Sequence, residues 1–219
     1  MRPLVVNTFV TLDGVMQAPG GPEEDPIGGF THGGWSAGYW DEATSERMGE
    51  VMGEPFDLLL GRKTYEIFAA YWPHVPDQPG AEQLNSARKY VASRTLDKVE
   101  WNNSTLLEGD VAEAVPELKQ EEGPEIQVHG SGDLVQTLLE HDLVDQFNLM
   151  IFPLVLGTGK RIFGDGTAPA GLTLAASSTS STGVLMATYK REGDIRYGSF
   201  AQEEPTEQER EHRAHLTES

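Results

Sequence analysis

The chain has 219 residues, 38% of them hydrophobic, and a formal net charge of −19 from 16 Lys and Arg against 35 Asp and Glu. That length supports one sizeable core, and so acidic a surface argues against nonspecific binding to nucleic acid or membranes, which are polyanions. With no cysteine there is no disulfide, thiolate nucleophile or cysteine metal site, and no metal is expected.

Met1 to Asn7 lacks a signal-peptide apolar region, and the apolar run Leu149 to Leu156 is too short to cross a bilayer. A cytoplasmic protein is expected. Leu4 to Val10 reads as a strand that ends in the turn Thr11-Leu12-Asp13-Gly14. Gln17 to Gly38 is dense in Gly and Pro, and a loop of that length is usually functional or disordered. Its aromatics, Phe30, Trp35, Tyr39 and Trp40, favour a lid or pocket wall over a free linker.

Asp41 to Met52 has helical spacing at Met48, Val51 and Met52. The run Phe56 to Leu60 predicts a buried strand, followed by a helix through Tyr71 that Pro73 ends. A short helix over Ala81 to Ala87 and a short strand over Lys89 to Ser93 come next. Asp110 starts a helix that runs out by Gly123-Pro124. Glu125 to His129 is a strand, and Gly130-Ser131-Gly132 opens the helix carrying Leu134, Leu138 and Leu139. Phe147 to Leu156 is a strand interrupted by Pro153, and Leu172 to Ala176 with Val184 to Arg191 predicts a closing antiparallel hairpin. After Phe200 the chain turns to Gln, Glu, Arg and His, a solvated helix or a disordered segment. One domain over 1–200 with an acidic tail over 201–219 is expected. Strands alternating with helices imply an α/β fold, a mixed and mostly parallel sheet with helices on both faces.

Three segments place anion-binding chemistry just after predicted strands, where ligands of such sheets sit. Gly61-Arg62-Lys63-Thr64 combines two cations and a hydroxyl with the free N–H groups of a helix start; the same residues also suit an ordinary helix with a solvated Arg and Lys. Ser93 and Arg94 leave a strand end together. Gly130, Ser131 and Gly132 let backbone approach a pyrophosphate, although Val135 replaces the last glycine of a dinucleotide fingerprint.

In order and spacing these segments resemble the dihydrofolate reductase superfamily. The branch they resemble is the reductase proteins related to the C-terminal domain of the bifunctional riboflavin-biosynthesis enzyme. The resemblance runs from Leu4 to Phe200 and includes Thr11 to Gly14, Gly61 to Glu66, Val91 to Leu96, Glu125 to Leu139, Leu143-Val144-Asp145 and Pro153 to Gly159. It implies the dihydrofolate-reductase-like three-layer fold, NADPH as cofactor and a homodimer. Arg62, Lys63 and Thr64 would then meet the adenosine phosphates, Ser93 and Arg94 the ribose 2′-phosphate, and Gly130 to Gly132 the pyrophosphate. His129 would lie near the nicotinamide, or is simply a satisfied strand-end residue. The resemblance also implies a cis Gly130–Ser131 peptide.

On the substrate side, dihydrofolate reductases use an acid early in the second-element helix, near which Asp41, Glu42 and Glu46 lie, Asp41 foremost; Asp13 is a second candidate acid. Asp41 also reads as a helix N-cap and Asp13 as a turn former. The expected function is reduction of a small substrate of pterin or pyrimidine type by NADPH. The alternatives are an NADPH-binding protein without efficient turnover, or the riboflavin-pathway 5-amino-6-(5-phosphoribosylamino)uracil reductase. The last is disfavoured by Gly-Arg-Lys-Thr and His-Gly-Ser-Gly, where that enzyme usually shows Gly-x-Gly-Thr and Glu-Gly-Gly. A dimer interface is expected on the late strands and the Phe147 to Leu156 strand.

Overall fold

The computed structural model describes residues 1–200 and 206–216. Eight strands form one sheet: β1 (Leu4–Thr11), β2 (Phe56–Gly61), β3 (Lys89–Ala92), β4 (Ser104–Leu106), β5 (Glu125–Val128), β6 (Gln146–Phe152), β7 (Leu172–Thr179) and β8 (Leu185–Arg191). Their order is β4-β3-β2-β5-β1-β6-β8-β7. Pairing is parallel from β4 through to β6, and antiparallel where β8 joins β6 and β7 joins β8. The late hairpin is thus the expected one, with a register irregularity between Leu174 and Ala176.

Alternation along the strands assigns the two faces. Leu59 of β2 joins a core with Leu4, Val6 and Val10 of β1. That core is closed by Val115 and Leu118 of α4 (Val111–Gln120) and by Leu134, Val135 and Leu138 of α5 (Gly132–Glu140). Phe56, Leu58 and Leu60 point the other way, toward Tyr65 of α2 (Arg62–Tyr71) and Leu84 of α3 (Ala81–Ser86). Further along that second face, Met150 and Phe152 of β6 pack with Ala43 and Met48 of α1 (Glu42–Val51). The helices therefore cover both faces, as an apolar parallel sheet requires.

The Gly/Pro-rich loop is ordered by its own polar groups. Gln17 Nε2 donates to the carbonyls of Asp25 and Ile27, each at 2.9 Å. Trp35 Nε1 donates to Gln17 O at 2.8 Å. The loop aromatics pack inward: Trp35 and Tyr39 meet the Phe152 ring edge-on at 5.2 and 6.1 Å, and Trp40 lies 5.6 Å from Phe9.

The short strand β4 was not expected, because three residues after a turn carry no usable periodicity. β6 stops at Phe152, before Pro153, and lies between β1 and β8, so its backbone is unavailable as a subunit edge. In the tail, α6 (Glu207–Leu216) is helical with no buried residue; 201–205 and 217–219 lie outside the described residues. No helix among the described residues is long and apolar enough to cross a membrane.

Lys89, fully buried, holds the β3 end of the sheet. Its ammonium donates to the carbonyls of Asn85, Ala87 and Asn102 at 3.1, 2.7 and 3.1 Å and sits 4.2 Å from the Trp101 ring centroid. Replacing it with methionine keeps the volume but leaves three carbonyls without their donor. Lys89→Met is expected to lower the unfolding free energy by at least about 2 kcal/mol, read as a lower urea midpoint at unchanged m.

Candidate functional site

At the carboxyl ends of the parallel strands lies a cavity of about 630 Å³. It is lined by Gly61, Arg62, Lys63 and Thr64 after β2, by Ser93 and Arg94 after β3, and by His129, Gly130, Ser131 and Gly132 after β5. All ten residues expected to hold the cofactor therefore share one space.

Backbone geometry explains why this end attracts anions. α1 and α4 are capped by side chains: Asp41 accepts from Thr44 N, and Asp110 accepts from Ala112 N. α2 and α5, by contrast, have no side-chain cap on Gly61 or Ser131. Two helix starts with free N–H groups thus open on the same cavity. The Arg62 guanidinium meets Glu66 at 3.3 Å across a half-exposed i,i+4 pair, an interaction worth about 0–1 kcal/mol that an incoming phosphate readily displaces. Lys63 and Arg94 have no carboxylate partner among the described residues.

Gly61 and Ser131 meet at the centre of this arrangement. A Cβ on residue 61 would lie 2.4 Å from Ser131 Oγ and 2.7 Å from Ser131 Cβ. Ser131 Oγ in turn donates to Thr64 Oγ1 at 2.7 Å, so a hydroxyl pair bolts the two helix starts together. The Gly130–Ser131 peptide is trans, as are all peptides among the described residues, which corrects the expected cis bond. The chain makes its turn instead with two successive left-handed residues, Gly130 at φ +93° and Ser131 at φ +72°.

His129 is held by Gln127. The Gln127 amide nitrogen donates to Val51 O and to Glu125 Oε1, which fixes its oxygen as the acceptor for His129 Nε2 at 2.7 Å. The histidine is therefore the Nε2–H tautomer, and burial pushes its pKa down to about 4.

The carboxylates expected on the substrate side do not line the cavity. Asp41 is the N-cap of α1 in a reciprocal capping box with Thr44, and its Oδ2 accepts from Ser181 N and Oγ at 2.9 and 2.7 Å. The Thr44 amide and the Ser181 hydroxyl hold its pKa down at about 2. Asp13 accepts from Thr11 Oγ1 at 2.6 Å and from the amides of Leu156 and Gly157 at 3.1 and 2.8 Å. Those bonds, the Thr11 hydroxyl foremost, keep its carboxyl well below the usual range. Glu46 is exposed on the solvent side of α1. Capping and turn-making have consumed Asp41 and Asp13, and Glu46 faces away from the cavity.

The opposite wall was missed by sequence reasoning. Arg47, Met48 and Val51 of α1 line it, with Asn7 of β1 and Asn148 of β6, which are register partners. Two asparagines inside otherwise apolar central strands were the available signal. The Gly/Pro-rich loop contributes Gln17 to Gly20, Glu24 and Asp25; its aromatics do not line the cavity. Burial pushes the Glu24 carboxyl up, against the pull of the Gly20 and Gly21 amides that it accepts at 2.6 and 3.1 Å. Lys160, beside Gly132, forms an ion pair with Asp25.

The RibD C-terminal domain family matches residues 2–186, so the chain belongs to that family. It is 29% identical over 200 residues to the uncharacterized protein YyaP of Bacillus subtilis strain 168, covering 88% of this chain and 96% of that protein. Its fold is similar to that of a protein from Shewanella sp. PV-4 named for riboflavin biosynthesis, with TM-score 0.60 and 20% identity over 87% of this chain and 99% of the other. It is also similar to Enterococcus faecalis dihydrofolate reductase solved with NADP(H), with TM-score 0.54 and 14% identity over 86% and 96% of the two chains. The dihydrofolate-reductase-like fold is thus the observed one.

Gly61→Ala is expected to force the β2 end and the α5 start apart and lower the urea midpoint of unfolding, with Gly61→Ala/Ser131→Gly recovering part of the loss. The imidazole of His129 is expected to show no proton titration between pH 5.5 and 8 by NMR, since about 4 lies well below that window. Its folded pKa is below the ordinary 6.5 of the unfolded chain. It therefore adds stability above about 6.5, which is lost as pH falls toward 4.

Proposed function

We propose that this member of the RibD C-terminal domain family is a cytoplasmic NADPH-dependent reductase of a small substrate of pyrimidine or pterin type. The observation that carries the reading is the convergence of two uncapped helix starts with Arg62, Lys63 and Arg94 in one cavity of an otherwise strongly acidic chain. The residues fit the group: Gly130 leaves space for backbone to approach phosphate, Gly61 lets the β2 end and the α5 start come together, and the cations are unpaired or weakly paired among the described residues.

In this reading Arg62, Lys63 and Thr64 hold the adenosine phosphates, the α5 start takes the pyrophosphate, and Ser93 with Arg94 receives the 2′-phosphate that separates NADPH from NADH. The bound nicotinamide supplies the hydride. His129, neutral at physiological pH, orients rather than donates a proton. Glu24, a cavity carboxyl shifted toward its neutral form, is assigned to proton delivery in place of Asp13, Asp41 and Glu46. The reading includes a homodimer through β7, supported by an edge strand whose eight residues are all exposed, Leu172 and Leu174 among them.

Fluorescence titration is expected to show NADPH bound more tightly than NADH. Arg94→Ala should weaken NADPH about 10- to 100-fold, the equivalent of a charge-assisted contact of roughly 1.5–3 kcal/mol, while leaving NADH nearly unchanged. Arg62→Ala should weaken both. No binding of either nucleotide would overturn the reading; tight binding with no substrate able to oxidise the cofactor would make this a binding protein.

A further inference from the structure

We propose that Arg47 receives an anionic oxygen group of the substrate, a carboxylate or its equivalent, so that the substrate wall selects acids over amidine-like bases; this rests on the reductase reading of the same cavity. Arg47 is three-quarters withdrawn from solvent and lines the wall beside Met48 and Val51. Its Nη1 donates to Glu50 Oε2 at 3.0 Å, its one ion-pair partner among the described residues. Glu50, one turn along α1, is 67% exposed, and so exposed a pair is weak.

Toward the sheet, Arg47 meets neutral oxygens alone. Nη2 donates to Asn148 Oδ1 at 3.2 Å and to Thr188 Oγ1 at 2.8 Å. The amide of Asn148 has one possible orientation. Its oxygen accepts from Arg47, from Thr188 Oγ1 at 2.9 Å and from Gln146 Nε2 at 3.1 Å, so its nitrogen must donate, and does, to Asn7 Oδ1 at 2.7 Å. That leaves Asn7 Nδ2 buried without an acceptor. Every amide in the network is thus turned so that the wall is rich in donors and short of acceptors, with a cation whose one ion-pair partner among the described residues is the exposed Glu50.

The other charges around the cavity do not supply the missing anion. Glu24 is engaged by the Gly20 and Gly21 amides, Asp25 by Lys160, and Asp110 by the α4 start, while Asp133 is exposed. A guanidinium withdrawn from water calls for an acid, and with both Nη2–H groups held by Asn148 and Thr188, the Nε–H and the second Nη1–H remain to meet its oxygens. A protonated amidine on the ligand would instead set donor against donor.

Benzoate, benzamide and benzamidine share one shape and differ in charge and polarity, which makes them the probes. Calorimetric titration of the NADP⁺-loaded protein keeps the phosphate-binding cations occupied. Benzoate is expected to bind at least tenfold more tightly than benzamide, with benzamidine weakest and the preference shrinking as salt rises. Arg47→Gln should abolish the preference, and Arg47→Lys should keep the order with weaker binding, each with unchanged NADP⁺ affinity and circular dichroism. Equal binding of benzamide, a preference for benzamidine, no binding of benzoate, or a preference that survives in Arg47→Gln would each overturn the proposal. Failure of NADP⁺ to bind would fell the reductase reading separately, because the Arg47→Gln comparison is equally readable on the free protein.

Discussion

Residue 61 has no room for a side chain, and most of what this protein can do follows from that closeness. The end of β2 and the start of α5 touch through Gly61 and Ser131, and the Ser131–Thr64 hydroxyl bond fastens the contact from the other side. Because β2 and β5 are neighbours in a parallel sheet, both of their following helices start at the same edge. Closing the gap between those starts concentrates uncapped N–H groups in one place. The left-handed conformation of Ser131, unfavourable for a residue with a Cβ, is retained where the hydroxyl bond and the helix it starts hold it.

The cavity has two walls of opposite construction. The wall proposed for phosphate is made of backbone and of cations at helix starts and strand ends. The facing wall is made of Asn7 and Asn148 from the middle of β1 and β6 and of Arg47, Met48 and Val51 from α1, with Asn148 held in one hydrogen-bond pattern by Arg47, Asn7 and Thr188. A wall of the first kind adapts to a ligand, whereas one of the second kind filters, since no member of the network can turn without breaking several bonds.

Long elements and the gathering of the Gly61, Ser93 and Gly130 segments at one end of the sheet were legible in the sequence because both are local. Apolar periodicity marks β2, α5 and β6, and the residues that follow β2, β3 and β5 are contiguous in the chain. The facing wall was not legible, because Asn7 and Asn148 meet only through strand register and Arg47 reaches Asn148 from α1. The misplaced acids have a different cause. Asp is the residue both of helix starts and of catalytic carboxylates, and position alone does not separate the uses; Asp41 and Asp13 were spent on Ser181 and on the 156–157 amides. The turn at Gly130 was located correctly but solved by positive φ angles.

The sheet order also dictates when the protein can become itself. β1, the first strand made, pairs with β5 and β6, so Leu4 waits for Ile126 and Val5 for Gln146. A nascent chain on the ribosome therefore displays the buried, largely apolar β1 unpaired until β5 and β6 have emerged. The heavy negative charge then serves a second purpose, as mutual repulsion between partly made chains that carry the same exposed strand.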